Sequence, residues 1–171
     1  IWYPAATKTY KTPIGDNALF KGRSAYMGAA IEAGQHPLVI ISHGSGGNMD
    51  GLAWLSSDLA QAGAMVLAVN HQGSTTGDSS PRRTVLFDER VADIQAALNH
   101  VLKDSHFSPY IDPQKISALG FSLGGTTVLQ LAGVTFERKA YQDYCQRLGT
   151  AAVDCVFLTK GGVDLKQLPE S

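Results

Sequence analysis

Lys115-Ile116-Ser117-Ala118-Leu119-Gly120-Phe121-Ser122-Leu123-Gly124-Gly125 decides the fold of this 171-residue chain. Residues 115–121 read as a strand that runs straight into Ser122. Residues 123–132 are apolar on most sides, as expected of a helix packed beneath a sheet. A Gly-x-Ser-x-Gly string alone is weak evidence, but a strand before it and a helix after it make it informative. The junction demands a sharp turn that lifts the serine hydroxyl above the sheet edge, and the flanking glycines leave that turn room to pack.

The same unit recurs upstream. Leu38-Val39-Ile40-Ile41 is a short apolar run that enters the glycine-rich turn Ser42-His43-Gly44-Ser45-Gly46-Gly47, which predicts a buried parallel strand. Leu52, Leu55, Leu59 and Ala62 follow at helical spacing, with Asn48 or Asp50 as N-caps and Gly63 as terminator. Ala64-Met65-Val66-Leu67-Ala68-Val69 gives a second strand that leaves through Asn70-His71-Gln72-Gly73-Ser74. Ser80-Pro81 then opens a helix with Val91, Ile94, Leu98, Val101 and Leu102 along one face, and Asp112-Pro113 breaks the chain before the third strand. Three strand-turn-helix units predict an α/β fold with a doubly wound, mostly parallel sheet covered on both faces. Residues 1–5 read as the end of an outer strand.

Composition narrows the chemistry. With 14 Lys+Arg against 15 Asp+Glu the formal charge is −1, so no long-range field recruits nucleic acid or an acidic membrane. No apolar run approaches the roughly 18 residues of a membrane span. A small neutral or weakly polar substrate fits better. Cys145 and Cys155 are the two cysteines; without a histidine at ligand spacing they do not read as a zinc site, and cysteine arithmetic favours a disulfide over two free thiols.

The chain resembles the α/β-hydrolase superfamily, and within it the dienelactone-hydrolase-like and platelet-activating-factor-acetylhydrolase-like esterases. The resemblance is carried by Trp2-Tyr3-Pro4-Ala5, the run from His36 to Gly47, Asn70-His71-Gln72-Gly73 and Gly120-Phe121-Ser122-Leu123-Gly124-Gly125. It implies Ser122 as nucleophile, with the Leu123 and Ser45 amides as oxyanion donors; the glycine-rich turn itself offers Gly46 as the fallback donor. Gly46 and His71 are candidate substrate contacts. The expected reaction is hydrolysis of a small-molecule carboxylic ester through an acyl-serine, with no metal and no organic cofactor. An amidase or acyltransferase using the same serine, and a non-catalytic binding protein on this fold, are the rivals.

Two departures shape the expectation. True dienelactone hydrolases carry cysteine where this chain has Ser122, so their lactone substrate does not transfer. In the superfamily the order is Ser, then Asp or Glu, then His, whereas His36, His43, His71, His100 and His106 all precede Ser122. Asp154 and Asp164 are weak candidates for the acid because neither has a strand before it. Residues 1–133 therefore read as the N-terminal portion of a hydrolase core, and 134–171 as an insertion or the start of a cap. The base, the acid and the remaining strands are expected in a C-terminal remainder, within the same protein or as a separate chain. The start at Ile1, the cysteine pair and the resemblance together suggest a periplasmic or secreted protein trimmed upstream.

Among the other residues, His43 reads as a brace of its turn, His100 and His106 as surface positions, and Trp2 and Trp54 as packing residues. Arg82, Arg83, Asp88, Glu89 and Arg90 read as a solvated helix face.

Overall fold

The computed structural model describes residues 1–18 and 20–169; Glu170 and Ser171, at the end of the expected cap region, lie outside the described residues. An antiparallel ribbon, β1 (Lys11–Ile14) and β2 (Arg23–Tyr26), precedes the central sheet. That sheet comprises β3 (His36–Ser42), β4 (Met65–Val69) and, after the two-residue strands β5 (Ser74–Thr75) and β6 (Asp78–Ser79), β7 (Ile111–Gly120). Its order is β4-β3-β7, all parallel. Helices α1 (Ala53–Gln61), α2 (Pro81–Thr84), α3 (Phe87–Val101) and α4 (Leu123–Leu131) complete the core. α5 (Arg138–Leu148) and α6 (Val153–Lys160) follow it.

One core joins Leu38 and Ile40 of β3 and Met65 and Leu67 of β4 to Ile94 and Val101 of α3. The alternating residues Ile41 and Val66 are buried as well, so both faces of β3 and β4 are covered, as near-continuous apolar strands require. At β7 only one face is: Ile116 and Ala118 are half-buried, whereas Ser117 and Leu119 are exposed.

Four details differ from the sequence reading. β7 begins at Ile111 rather than after Asp112-Pro113. Its pairing passes from His36↔Ile111 to Leu38↔Ile116, so an irregularity in the ladder absorbs the proline that cannot donate. In α1 the buried stripe is Ala53, Ser56, Ser57 and Ala60, with Leu55 and Leu59 half-buried at its flank and Trp54 52% exposed; small residues let the helix approach the sheet closely. The helix opened by Ser80-Pro81 stops after one turn, with the Ser80 hydroxyl accepting from the Arg83 amide, and resumes as α3. Residues 1–5 form single antiparallel bridges, Trp2↔Val66 and Ala5↔Ile31, rather than a strand.

After α4 the described residues contain no further strand. Cys145 and Cys155 are joined in a disulfide that ties α5 to α6, and Val85, Leu158 and Leu168 form a second buried cluster that seats this helical pair near α2.

Candidate active site

The turn between β7 and α4 carries the one positive-φ residue other than glycine among the described residues, Ser122, at φ 53° and ψ −118°. Such a conformation costs of order 1–3 kcal/mol for a residue with a side chain and persists only where its surroundings enforce it. Here the Phe121 amide donates to Ser42 O at 3.1 Å, and the Gly124 and Gly125 amides donate to Phe121 O and Ser122 O at 2.9 and 2.8 Å. The glycines are a steric requirement. A Cβ on Gly120 would lie 2.0 Å from Gly124 O, and one on Gly124 would lie 2.0 Å from Ser42 O. Ser122 itself is exposed.

The turn after β3 lies alongside. A Cβ on Gly44 would be 3.2 Å from Ser122 Cβ, so the nucleophile candidate sits against the peptide preceding Ser45. Leu123, the first residue of α4, has no carbonyl within its own helix to serve, and its amide lies at the helix's positive end. The Ser45 hydroxyl is paired with Thr84 Oγ1 at 3.1 Å, while its amide makes no hydrogen bond among the described residues. Gly46 differs, because its amide donates to Ser74 O at 2.9 Å. That bond removes it as the fallback oxyanion donor.

Beneath these turns lies a buried polar network that the sequence reading missed. His71, expected to face substrate, has a fully buried side chain. Its Nδ1–H donates to Asp93 Oδ2 at 2.9 Å and its Nε2 accepts from the Ser42 hydroxyl at 2.9 Å. The ring thus supports the sheet edge rather than lining the mouth. Ser42, His71 and Asp93 reproduce the hydrogen-bond order of a catalytic triad, but Ser42 has no exposed surface, so no substrate reaches its hydroxyl. His43 braces its turn: Nε2 accepts from the His71 amide at 3.2 Å and Thr75 Oγ1 at 3.0 Å, which leaves Nδ1–H to donate to Gly44 O at 2.7 Å. Burial holds both imidazoles below the ordinary histidine value, His71 at about 4, and the nearby Arg90 charge pushes the same way. Both are neutral at pH 7.

Arg90 overturns the solvated-face reading. Only 2% exposed, it donates to Ser42, His43, Ser74 and Thr127. Arg83 and Glu89 of the same cluster do form a surface ion pair, at 3.3 Å. No histidine hydrogen-bonds Ser122 among the described residues; His100 and His106 are exposed, and His36 is held between Gly63 O and Glu32 O at the opposite end of β3. Asp154 accepts from the Tyr141 and Tyr144 hydroxyls, and Asp164 caps a single turn through the Lys166 amide. A cavity of about 670 Å³ lies apart from this region, between the N-terminal residues, the β1-β2 ribbon and α1, and Ser122, Ser45 and Leu123 are not among its lining residues.

Residues 34–148, most of the chain and all of this site, match the α/β-hydrolase family described as serine aminopeptidase, S33. The chain belongs to that family. The chain is 32% identical over 104 residues to Cutinase est1 of Thermobifida alba, an alignment covering 60% of this chain and 32% of the relative. It is also 32% identical over 81 residues to Lipase 1 of Moraxella sp. strain TA144, covering 47% of this chain and 23% of the relative. A ferulic acid esterase structure from Streptomyces cinnamoneus superposes with a TM-score of 0.53 at 24% identity, covering 62% of this chain and 35% of that one, which establishes the shared fold. The matched part of the chain spans about a third or less of the length of these relatives.

Proposed function

We propose that this hydrolase cleaves a small-molecule carboxylic ester through an acyl-serine at Ser122. The reading rests on one observation above all: Ser122 is exposed at positive φ where a parallel strand ends and a helix begins, against the turn that follows β3. The relatives named cutinase and lipase support an ester substrate. The motifs further suggest the dienelactone-hydrolase-like and acetylhydrolase-like branch of the superfamily.

In the proposed cycle Ser122 Oγ attacks the ester carbonyl carbon while its proton passes to a histidine base. The Ser45 and Leu123 amides hold the resulting oxyanion, each donor contributing about 3–4 kcal/mol to the transition state. Collapse breaks the bond to the alcohol oxygen, which takes the proton from the base. Water then attacks the acyl-serine, gives its proton to the same base, and the acid leaves as Ser122 recovers its proton. Since the five histidines are buried in other bonds or lie away from Ser122, we assign the base and its acid partner to sequence beyond these residues, in the same protein or an associated chain. The α5–α6 pair, seated beside α2 and hence near Ser45, is proposed as the start of a cap that selects substrates. Its disulfide fits a periplasmic or secreted protein.

The family description, serine aminopeptidase, favours amide cleavage as the second reading; comparing p-nitrophenyl esters with p-nitroanilides separates the two. The deciding experiment is fluorophosphonate labelling of the full-length protein. Labelling that vanishes in Ser122→Ala is expected, and equal labelling of that variant would remove Ser122 from the mechanism.

A further inference from the structure

Arg90 has no part in the chemistry above, yet its bonds run to both sides of the site. Its Nη2 donates to Ser42 Oγ at 3.1 Å and to His43 O, and Nη1 donates to Ser74 Oγ at 2.5 Å. Nε donates to Thr127 Oγ1 at 2.9 Å, and the Thr127 hydroxyl passes its own proton towards Leu123 O at 3.1 Å. On one side, then, the guanidinium grips the peptide two residues before Ser45 and the strand whose carbonyl holds the Gly46 amide. On the other, through Thr127, it reaches the residue whose amide is the second oxyanion donor. These partners come from β3 and its turn, β5 and α4, so one side chain ties three separate elements together.

We propose that Arg90 is a positioning residue that sets the separation of the Ser45 and Leu123 amides, an inference resting on the acyl-serine reading. Three features support it beyond the bond list. First, none of the four acceptors is a carboxylate, so among the described residues the buried guanidinium is held by neutral oxygens from separate elements rather than by an ion pair, with the Asp93 charge nearby on the same helix. Second, a planar guanidinium presents its N–H groups in a fixed fork, which makes the angles between its partners as determinate as the distances. Third, the fork is itself anchored. Ser42 Oγ accepts from Arg90 and donates to His71, and His71 donates to Asp93, which stands three residues after Arg90 on α3. The path Arg90–Ser42–His71–Asp93 leaves α3, crosses the carboxyl ends of β3 and β4, and returns to α3 as a closed ring. Burial lowers the guanidinium only to about 10, so it keeps its charge and all its donors at neutral pH.

A group acting through the two oxyanion amides changes the transition state more than the ground state, and its loss falls on kcat rather than KM. The test uses the full-length protein with a short p-nitrophenyl ester, alongside fluorophosphonate labelling and thermal unfolding. Arg90→Lys keeps a cation without the fork and is expected to lower kcat about 10- to 100-fold with KM within about threefold. Thr127→Val keeps the shape but cuts the link from Arg90 to Leu123 and leaves the buried Arg90 Nε–H without its acceptor. It is expected to lower the unfolding midpoint by several degrees and, per folded molecule, to lower kcat about 3- to 10-fold with KM within about threefold. If Thr127→Val and every folded Arg90 variant retained wild-type kcat and KM per folded molecule, Arg90 would be a structural residue only and the proposal would fall. Absence of both turnover and labelling in the wild type would instead sink the acyl-serine reading, and this proposal with it.

Discussion

Gly124 faces the carbonyl oxygen of Ser42 so closely that a β-carbon on it would lie 2.0 Å from that oxygen, 2.6 Å from Ser42 C and 2.9 Å from His43 O. All three atoms belong to backbone, so no side-chain rotation relieves the clash, and either α4 or the end of β3 must move. Gly124→Ala is expected to cost about 3 kcal/mol or more, a drop of roughly 6–12 °C in unfolding midpoint for a chain of this size. Gly125→Ala is the control. Its new Cβ would meet only Gly120 O, at 3.7 Å, and helix propensity favours alanine by up to about 1 kcal/mol. Thermal unfolding monitored by circular dichroism compares the two. Equal midpoints would show that the elbow does not rest on this contact.

Strain at Ser122 predicts an opposition between stability and activity. At φ 53° and ψ −118° glycine is relaxed whereas serine and alanine are not. After the added chain entropy of the unfolded glycine variant is subtracted, Ser122→Gly is expected to be more stable than Ser122→Ala by about 1–2 kcal/mol. Both lose turnover by several orders of magnitude. Urea unfolding of the two inactive variants checks this, and a more stable alanine variant would contradict the strain argument.

The buried imidazoles set an acid limit on stability. His71 is held at about 4 and His43 is lowered, in each case first by burial. In the unfolded chain both titrate near 6.5. Folding therefore excludes protons, so stability is full above pH 6.5 and is lost as pH falls from there towards 4. For His71 the loss is on the order of 3 kcal/mol. The groups facing it are Asp93, which favours protonation, and Arg90 and His43, which oppose it. Urea midpoints at pH 7.5, 5.5 and 4.5 should fall in sequence, and His71→Gln should flatten the slope whatever its effect at pH 7.5. An unchanged slope in that variant would place the acid sensitivity elsewhere.

The elbow was legible because two independent patterns coincide at Ser122: an apolar run of strand length and glycines two residues to either side. The polar network beneath it was hidden by composition. Arg90 sits among Arg82, Arg83, Asp88 and Glu89, and charge density alone marks such a segment as surface. Yet Arg90, Ile94, Ala97 and Val101 recur at helical spacing, and the buried stripe of α3 begins at the arginine. A single charge in phase with an apolar stripe is the signal that separates it from its neighbours. In α1 the leucines drew attention from the serines and alanines that make the close contact, since hydrophobic size reports burial poorly where a helix must lie near a sheet. His71 was placed on the correct strand exit, but its direction depends on Ser42 and Asp93, 29 and 22 residues away, and local pattern carries no such information.

The Cys145–Cys155 disulfide closes a short loop, with a sequence separation of 10. Loop-closure entropy puts its contribution at about 3 kcal/mol. The bond lies within the α5–α6 pair, where it packs with Ala152, while the core of Leu38, Met65 and Ile94 is built from other elements. Reduction should therefore loosen residues 138–168 selectively. Hydrogen exchange with and without dithiothreitol is expected to show faster exchange across α5 and α6 and unchanged protection in β3, β4 and β7. The Tyr141 hydroxyl offers a second reporter. Burial and the adjoining Asp154 carboxylate raise its pKa above the ordinary tyrosine value, so α6 moving away should let it ionise at lower pH, visible in the ultraviolet absorbance. Uniform loss of protection throughout the sheet would instead make the helical pair an integral part of the folding unit rather than a separable cap.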